Sequence, residues 1–180
     1  MRIVSGKLKG RQINVPKNFK GRPTTDFARE SLFNVLNNML DIDDCAVLDL
    51  FSGTGAFCLE CFSRGAEDVM AVELNGMHVK FISDNFKAFE VKKGRVLKSD
   101  VFSFLQKNTF SFDLIFADPP FDLPELNRLP DEVLHSSVLK KSGLFILEHP
   151  AEHKFDNHPN FEKHKSYGHV HFSFFRHLQA

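Results

Sequence analysis

The sequence predicts an α/β fold, an open and mostly parallel sheet flanked by helices, and three observations point to it. Short apolar runs alternate with helical stretches at spacings of roughly 20–30 residues, the rhythm of consecutive βα units. The run Ala46-Val47-Leu48-Asp49-Leu50 feeds a glycine-rich turn, Phe51-Ser52-Gly53-Thr54-Gly55, and then a helical stretch. A later run, Phe112-Asp113-Leu114-Ile115-Phe116-Ala117, stops at Asp118-Pro119-Pro120-Phe121. Two successive prolines lack N–H groups and fix φ, so they cannot continue a central strand. The stop therefore marks a stiff bend at the carboxyl end of a buried strand, where open α/β sheets place their ligands.

Taken in order, residues 1–20 read as a small N-terminal β-hairpin, with Gly6 and Gly10 between short β-like runs and Lys7, Lys9 and Arg11 displayed along it. This basic extension precedes one domain over 21–180, with the only plausible joint at 16–22. Thr24, Thr25 and Asp26 are N-terminal signals for a helix reaching Asn38, whose apolar positions Ala28, Leu32, Val35, Leu36 and Met39 recur at helical spacing. An acidic loop follows at 41–44. Strands are expected near 46–51, 69–73, 95–98, 112–118 and 143–148, with helices near 55–64, 76–90, 101–107 and 125–139. The tail, 161–167 and 169–176, reads as a hairpin turning at Gly168.

Composition narrows the class. A chain of 180 residues with 42% hydrophobic and 26% charged residues is long enough for one well-buried core. The 21 phenylalanines fall mostly in strand-like or helix-periodic runs, which assigns them to that core. No apolar run approaches a membrane span, and the N-terminus is polar, so the expected location is the cytoplasm and the default state a monomer. Three cysteines do not make a disulfide framework; Cys58 and Cys61 lie within one expected helix, without a second pair to complete a zinc site. Seven of the nine histidines lie between His149 and His177 and read as a solvated edge, with no metal expected. Net charge is zero, yet residues 1–30 hold eight Lys/Arg against two Asp/Glu, so a +6 arm sits on a −6 body. That asymmetry suits a polyanion contacting one end of the molecule.

The motif residues suggest a chemistry. Asp118 and the Pro119 carbonyl can accept both N–H bonds of an exocyclic amine, while Phe121 stacks on the ring that bears it. Glu73 closes the run 69–72, 24 positions after Asp49, where an acid suits a ribose diol. Ala56, Phe57 and Cys58 follow Gly55, so the third glycine of the dinucleotide fingerprint is missing and a nucleoside without phosphates fits better. Asp100, backed by Val101 and Phe102, suits an adenine amino group or, alternatively, the cap of the helix 101–107.

In this order, Asp49 to Gly55, Glu73, Asp100 and Asp118 to Phe121 resemble the class I S-adenosylmethionine-dependent methyltransferases. The segment Arg22-Pro23-Thr24-Thr25-Asp26-Phe27-Ala28-Arg29-Glu30-Ser31-Leu32-Phe33-Asn34 is similar to the entry segment of the bacterial 16S rRNA guanine-N2 methyltransferases, the RsmD family. The start Met1 to Arg11, Ser63-Arg64-Gly65-Ala66 and Tyr167-Gly168-His169-Val170 resemble that family too, so the likeness spans residues 1 to about 176. It implies a Rossmann-like methyltransferase sheet whose C-terminal hairpin contributes an antiparallel strand. It implies S-adenosylmethionine held by Asp49, Phe51, Ser52, Gly53, Thr54, Gly55, Glu73, Leu74, Asp100 and Val101. Catalysis would rest on Asp118, Pro119 and Phe121. Lys7, Lys9, Arg11, Arg22, Thr24 and Arg29 would face RNA, although Arg29 has an alternative partner in a carboxylate of its own helix. The implied partner is 16S rRNA in the small ribosomal subunit or its assembly intermediate. An adenine-N6 methyltransferase acting on DNA or RNA would use the same Asp-Pro-Pro-aromatic geometry. A nicotinamide oxidoreductase and a non-catalytic RNA-binding module are more distant readings.

Overall fold

The computed structural model describes residues 1–17, 19 and 25–178. Seven strands form one sheet in the order β3-β2-β1-β4-β5-β7-β6. β1 (Ala46–Leu50), β2 (Asp68–Glu73), β3 (Gly94–Lys98), β4 (Phe112–Ala117) and β5 (Leu139–His149) are parallel, and β7 (Val170–Phe175) runs antiparallel between β5 and β6 (Phe161–Tyr167). The strand order turns back at β1, with β2 and β4 on either side, so the carboxyl ends of β1, β2 and β4 open the crevice where doubly wound sheets bind ligands.

Alternation along the strands divides the core in two. Val47, Val69, Leu114 and Leu144 face one layer with α1 (Asp26–Leu36), α2 (Ala56–Ser63) and α3 (Gly76–Ala88). Leu48, Met70, Ile115 and Phe145 face the other, with α4 (Val101–Lys107) and α5 (Leu129–His135). Thr25 caps α1 by accepting the Ala28 N–H at 3.1 Å. The expected helix over 125–139 is instead a 3-10 turn (Leu126–Arg128) and the short α5, begun by Pro130 in its first turn. β5 starts at Leu139 rather than 143, because a register shift opposite Phe112/Leu114 lets residues 140–143 bow out before regular pairing resumes at Leu144.

The N-terminal segment pairs antiparallel about the Arg2–Gln12 bridge, with Ile3 N–H on Arg11 O at 3.0 Å, Ile13 N–H on Met1 O at 2.9 Å and Gly10 N–H on Ile3 O at 2.9 Å, and it lies against α2. The Ser63 hydroxyl donates to the Ser5 carbonyl at 2.5 Å and accepts from Leu8 N–H at 2.9 Å, while Ser63 O accepts from Lys7 N–H at 2.8 Å. Gly6, at φ +79°, packs so closely there that a Cβ would sit 1.8 Å from Ser63 O. Only glycine fits both the conformation and the space.

Of the seven C-terminal histidines, His149 corrects the expectation of a solvated edge, while His164 and His169 are exposed as expected. His149 is buried, its Nε2 2.8 Å from Ser173 Oγ and its Nδ1 2.9 Å from Pro150 O, with the His164 and His171 rings 6.1 and 5.9 Å away. Burial, followed by repulsion from His171, His164 and His153, lowers its pKa from 6.5 to about 4 against the opposing hydrogen bond to Pro150. The unfolded chain therefore takes up the proton first. The stability that neutral His149 contributes is complete above pH 6.5 and is lost as pH falls toward about 4. The loss is on the order of 3 kcal/mol. Urea unfolding of wild type and His149→Gln between pH 7.5 and 4.5 should show the variant with the flatter pH dependence; identical slopes would refute this.

Candidate active site

The sheet registers bring four acids to one edge. Asp49 lies level with Ala71 on β2 and Phe116 on β4, and Phe116 level with Ile146 on β5. Two residues further along each strand, on the same face, come Glu73, Asp118 and Glu148. Three carboxylates thus share one row on the side of α1, α2 and α3, and Asp49 sits one row beneath. Asp49 is buried, and burial, followed by the charges of Asp118 and Glu73, holds its carboxyl well above the usual carboxylate range, with the Cys58 thiol's hydrogen bond opposing.

The turn after β1 is clamped from both sides. Ser52 Oγ donates to Asp49 O at 2.6 Å and Val72 O at 3.1 Å, and Gly55 N–H closes the turn onto Ser52 O at 2.7 Å. Phe51 takes φ +60°, an uncommon conformation for a bulky residue and a place where backbone strain sits at a candidate site. Gly55 takes φ +72° as the residue before α2, where an added Cβ would meet Ile82 at 3.0 Å. Thr54 is buried, with its hydroxyl 3.8 Å from Met1 Sδ.

Glu73 organises the neighbouring loop. Its Oε2 accepts the Gly53 N–H at 2.9 Å and its Oε1 the Asn75 N–H at 2.8 Å. His78 Nδ1 lies 3.7 Å from the same carboxylate, and its ring stacks on Phe19 at 3.9 Å. His78 was missed from the sequence, though its place five residues past Glu73, on the first turns of α3, is the signal that would have found it. Next to Glu73, Leu74 and Met77 are 64% and 62% exposed and form an apolar surface. Leu74 was expected here; Met77 was not. Asp100 caps α4 by accepting the Ser103 N–H at 2.9 Å, as the alternative reading had it, while staying exposed enough to meet a ligand. Val101 behind it is buried.

Asp118 continues from β4, its N–H 3.4 Å from Leu50 O. Pro119 is buried, Pro120 accepts the Leu123 N–H at 2.9 Å, and Phe121 is 46% exposed at the tip of that turn. Acid, bend and exposed ring thus stand together across the crevice from Glu73.

The basic residues divide. Lys7 Nζ sits 3.6 Å from the centre of the Phe62 ring, and the Arg11 guanidinium lies 4.3 Å from Phe89 while donating to Ala88 O at 3.3 Å. Lys9 is exposed. Arg29 is buried: it donates to Asp26 Oδ1 at 2.7 Å and Arg2 O at 2.6 Å, with Glu60 Oε2 3.9 Å from its Nε. The carboxylate of its own helix is therefore its partner, and a place on an RNA-facing rim does not fit that burial. Arg22 and Thr24 lie outside the described residues. Cys58 and Cys61 are buried with their thiol pKa values pushed up by burial, which makes them inert packing groups. Among the described residues, no group of three or more His, Cys, Asp and Glu is placed to hold a metal ion, and no helix is long and apolar enough to cross a membrane.

Comparison with known proteins follows the same lines. The family described as conserved hypothetical protein 95 matches residues 1–176. The chain is 32% identical over 152 residues to the ribosomal RNA small subunit methyltransferase D of Escherichia coli K12, covering 84% of this chain and 76% of that protein. To the protein of the same name in Buchnera aphidicola subsp. Baizongia pistaciae it is 31% identical over 148 residues, 82% and 75% of the two chains. The solved structure of yhhF from Escherichia coli superposes with a TM-score of 0.86 at 30% identity, covering 99% of both chains. A more distant fold relative is the Thermus thermophilus 16S rRNA N2 methyltransferase RsmC, solved with AdoMet and guanosine. It has a TM-score of 0.69 at 23% identity, over 86% of this chain and 44% of that one.

Proposed function

Because the chain belongs to the conserved hypothetical protein 95 family, that of the small-subunit rRNA methyltransferase D proteins, we propose that it transfers a methyl group from S-adenosylmethionine to the exocyclic N2 of a guanine in 16S rRNA. The observation that carries this reading is the pair of acids on opposite sides of the crevice, Glu73 beside the glycine turn and Asp118 at the Asp-Pro-Pro bend.

The residues present fit the cofactor. Asp49 and Glu73, on the side of the glycine turn, suit a sulfonium and an ammonium. The exposed Leu74 and Met77 offer apolar faces for an adenine, with Val101 behind and Asp100 for its amino group. Glu73 has lone pairs left for a ribose diol after accepting two N–H bonds, and the 52–55 turn with Asp49 would hold the methionine end. Bound S-adenosylmethionine supplies an electrophilic methyl group on a good leaving group.

The protein's task is then alignment. Guanine's amine is a poor nucleophile because its lone pair is delocalised into the ring. Asp118 and the Pro119 carbonyl would accept its two protons, favouring a pyramidal nitrogen with its lone pair aimed across the crevice. On taking the methyl carbon, as the carbon–sulfur bond breaks with its electron pair left on sulfur, the amine nitrogen would become cationic and would shed a proton to Asp118 or to solvent. Phe121 would hold the extruded base by stacking, worth about 1–3 kcal/mol. Lys9, with Lys7 and Arg11 beside it on the 1–20 extension, would meet RNA phosphates. Small-subunit rRNA is the expected substrate; methyl incorporation into its guanine, read as N2-methylguanosine, is the test.

Cofactor binding should also release protons. Burial, with the charges of Asp118 and Glu73, raises the Asp49 pKa well above the usual carboxylate range, and a sulfonium beside it would favour the ionised form. Affinity for S-adenosylmethionine should therefore rise with pH until Asp49 is ionised in the free protein. Affinity for the uncharged-sulfur product, S-adenosylhomocysteine, should rise less. Calorimetry in buffers of different ionisation enthalpy counts the protons, and Asp49→Asn should abolish the release. An unchanged proton count in that variant would refute it.

A further inference from the structure

We propose that Glu148, at the end of β5, reads the Watson–Crick edge of the target base and makes the site select guanine over adenine. This rests on the guanine reading above and extends it to a residue that the motifs did not supply. Ala117 pairs with Leu147 in parallel register, so Asp118 and Glu148 are consecutive steps on neighbouring strands and point to the same face. Neighbouring strands stand about 4.8 Å apart, which puts the two carboxylates within reach of one base edge. Glu148 is 3% exposed and its strand partner on the other side is Phe172, also buried, so the acid is set in the sheet rather than splayed on the surface. On the far side of Asp118 stand Asp49 and Glu73, which belong to the cofactor half of the crevice. Glu148 therefore flanks Asp118 on the side left for the base. Both residues already interact within the protein, and a carboxylate's several lone-pair sites still allow it to accept a further hydrogen bond from a ligand.

The chemistry of the two purines separates them at this point. Guanine carries a donor, N1–H, next to its N2 amine; adenine carries an acceptor, unprotonated N1, next to its N6 amine. Asp118, the Pro119 carbonyl and Phe121 serve either amine equally well. A second carboxylate beside Asp118 accepts from guanine N1–H and repels the adenine N1 lone pair. A buried acceptor left facing another acceptor is costly, which is how a polar site rejects a near-isostere strongly.

The test uses small-subunit rRNA fragments with guanine or 2-aminopurine at the target position. 2-Aminopurine keeps the reactive amine but presents N1 as an acceptor. Under single-turnover conditions the wild type should methylate guanine about 10²-fold faster than 2-aminopurine. Glu148→Gln offers an N–H to that N1 and should compress the ratio to within about tenfold, with S-adenosylmethionine affinity unchanged. Glu148→Asp retains an acceptor and should keep the discrimination at a lower rate, and it serves if the Gln variant fails to fold. A Gln variant with the wild-type ratio, or an Asp variant that loses it, would overturn the assignment of Glu148. A wild type that methylates no guanine at all would instead overturn the reading on which it rests.

Discussion

Replacing Asp118 with alanine should lower methyl transfer by roughly 10³-fold and leave S-adenosylmethionine affinity within a few-fold. The two halves of this prediction come from the register of the sheet. Asp118 stands just past the end of β4, one strand from β1 and two from Glu73, so its loss removes the acceptor for the amine while the glycine turn keeps both of its clamps, Val72 O on Ser52 and Glu73 on Gly53. The Pro119 carbonyl would still hold one amine proton, so binding of the base should suffer less than its reaction. Asp118→Asn preserves one acceptor oxygen and should recover part of the lost rate. Rapid-quench methyl transfer and calorimetric cofactor titration on the same preparations read the two effects separately. Loss of cofactor affinity in Asp118→Ala would place the residue in the wrong half of the crevice.

Glu60→Ala should be the most damaging substitution outside the site. Glu60 is fully buried and accepts the Val4 N–H at 2.8 Å on Oε2, and the Ser5 N–H at 3.0 Å and Arg64 Nε at 2.9 Å on Oε1. Arg29, itself buried, lies 3.9 Å away on the other side. Removing this carboxylate leaves the Val4 and Ser5 N–H groups and the Arg64 guanidinium without their shared acceptor, and deprives buried Arg29 of a nearby opposite charge. Breaking a buried pair by deleting one member costs about 3–5 kcal/mol. For a chain of this size that corresponds to a fall in Tm of roughly 10 °C. Residues 1–15 should then exchange their amide hydrogens far faster than the strands, because Glu60 and Ser63 are what bind that segment to α2. A melting temperature within 2–3 °C of wild type would show that the network contributes little; that threshold is about 1 kcal/mol.

Local signals in the sequence carried the parallel half of the sheet. Leu48-Asp49-Leu50 before the glycine turn, Val72 before Glu73 and Ala117 before Asp118 each announce a strand end with a chemical residue on it, and all three strands are where the apolar runs place them. The Asp100 cap was legible for the same reason, beside the ligand contact proposed for it, since a capping aspartate and a ligand-facing aspartate look alike in sequence. What stayed hidden depends on pairing between distant segments. That β7 lies between β5 and β6 follows from Glu148 pairing with Phe172 and Ser166 with His171, which no local pattern encodes. The burial of His149 needs Ser173, 24 residues away, as its hydrogen-bond partner. Arg29 looked like a rim residue because its segment is basic, and only the packing of α1 on Arg2 and Glu60 turns it inward. Glu148 follows an apolar run like any other strand end, and its place beside Asp118 appears only when β5 is laid beside β4.

The most direct test of the central claim is methyl transfer from labelled S-adenosylmethionine to small ribosomal subunits that lack the modification, followed by nucleoside mass spectrometry. The expected result is label in N2-methylguanosine, absent when Asp118→Ala replaces the wild type. Label in N6-methyladenosine, or none in rRNA from a protein that binds the cofactor, would contradict it.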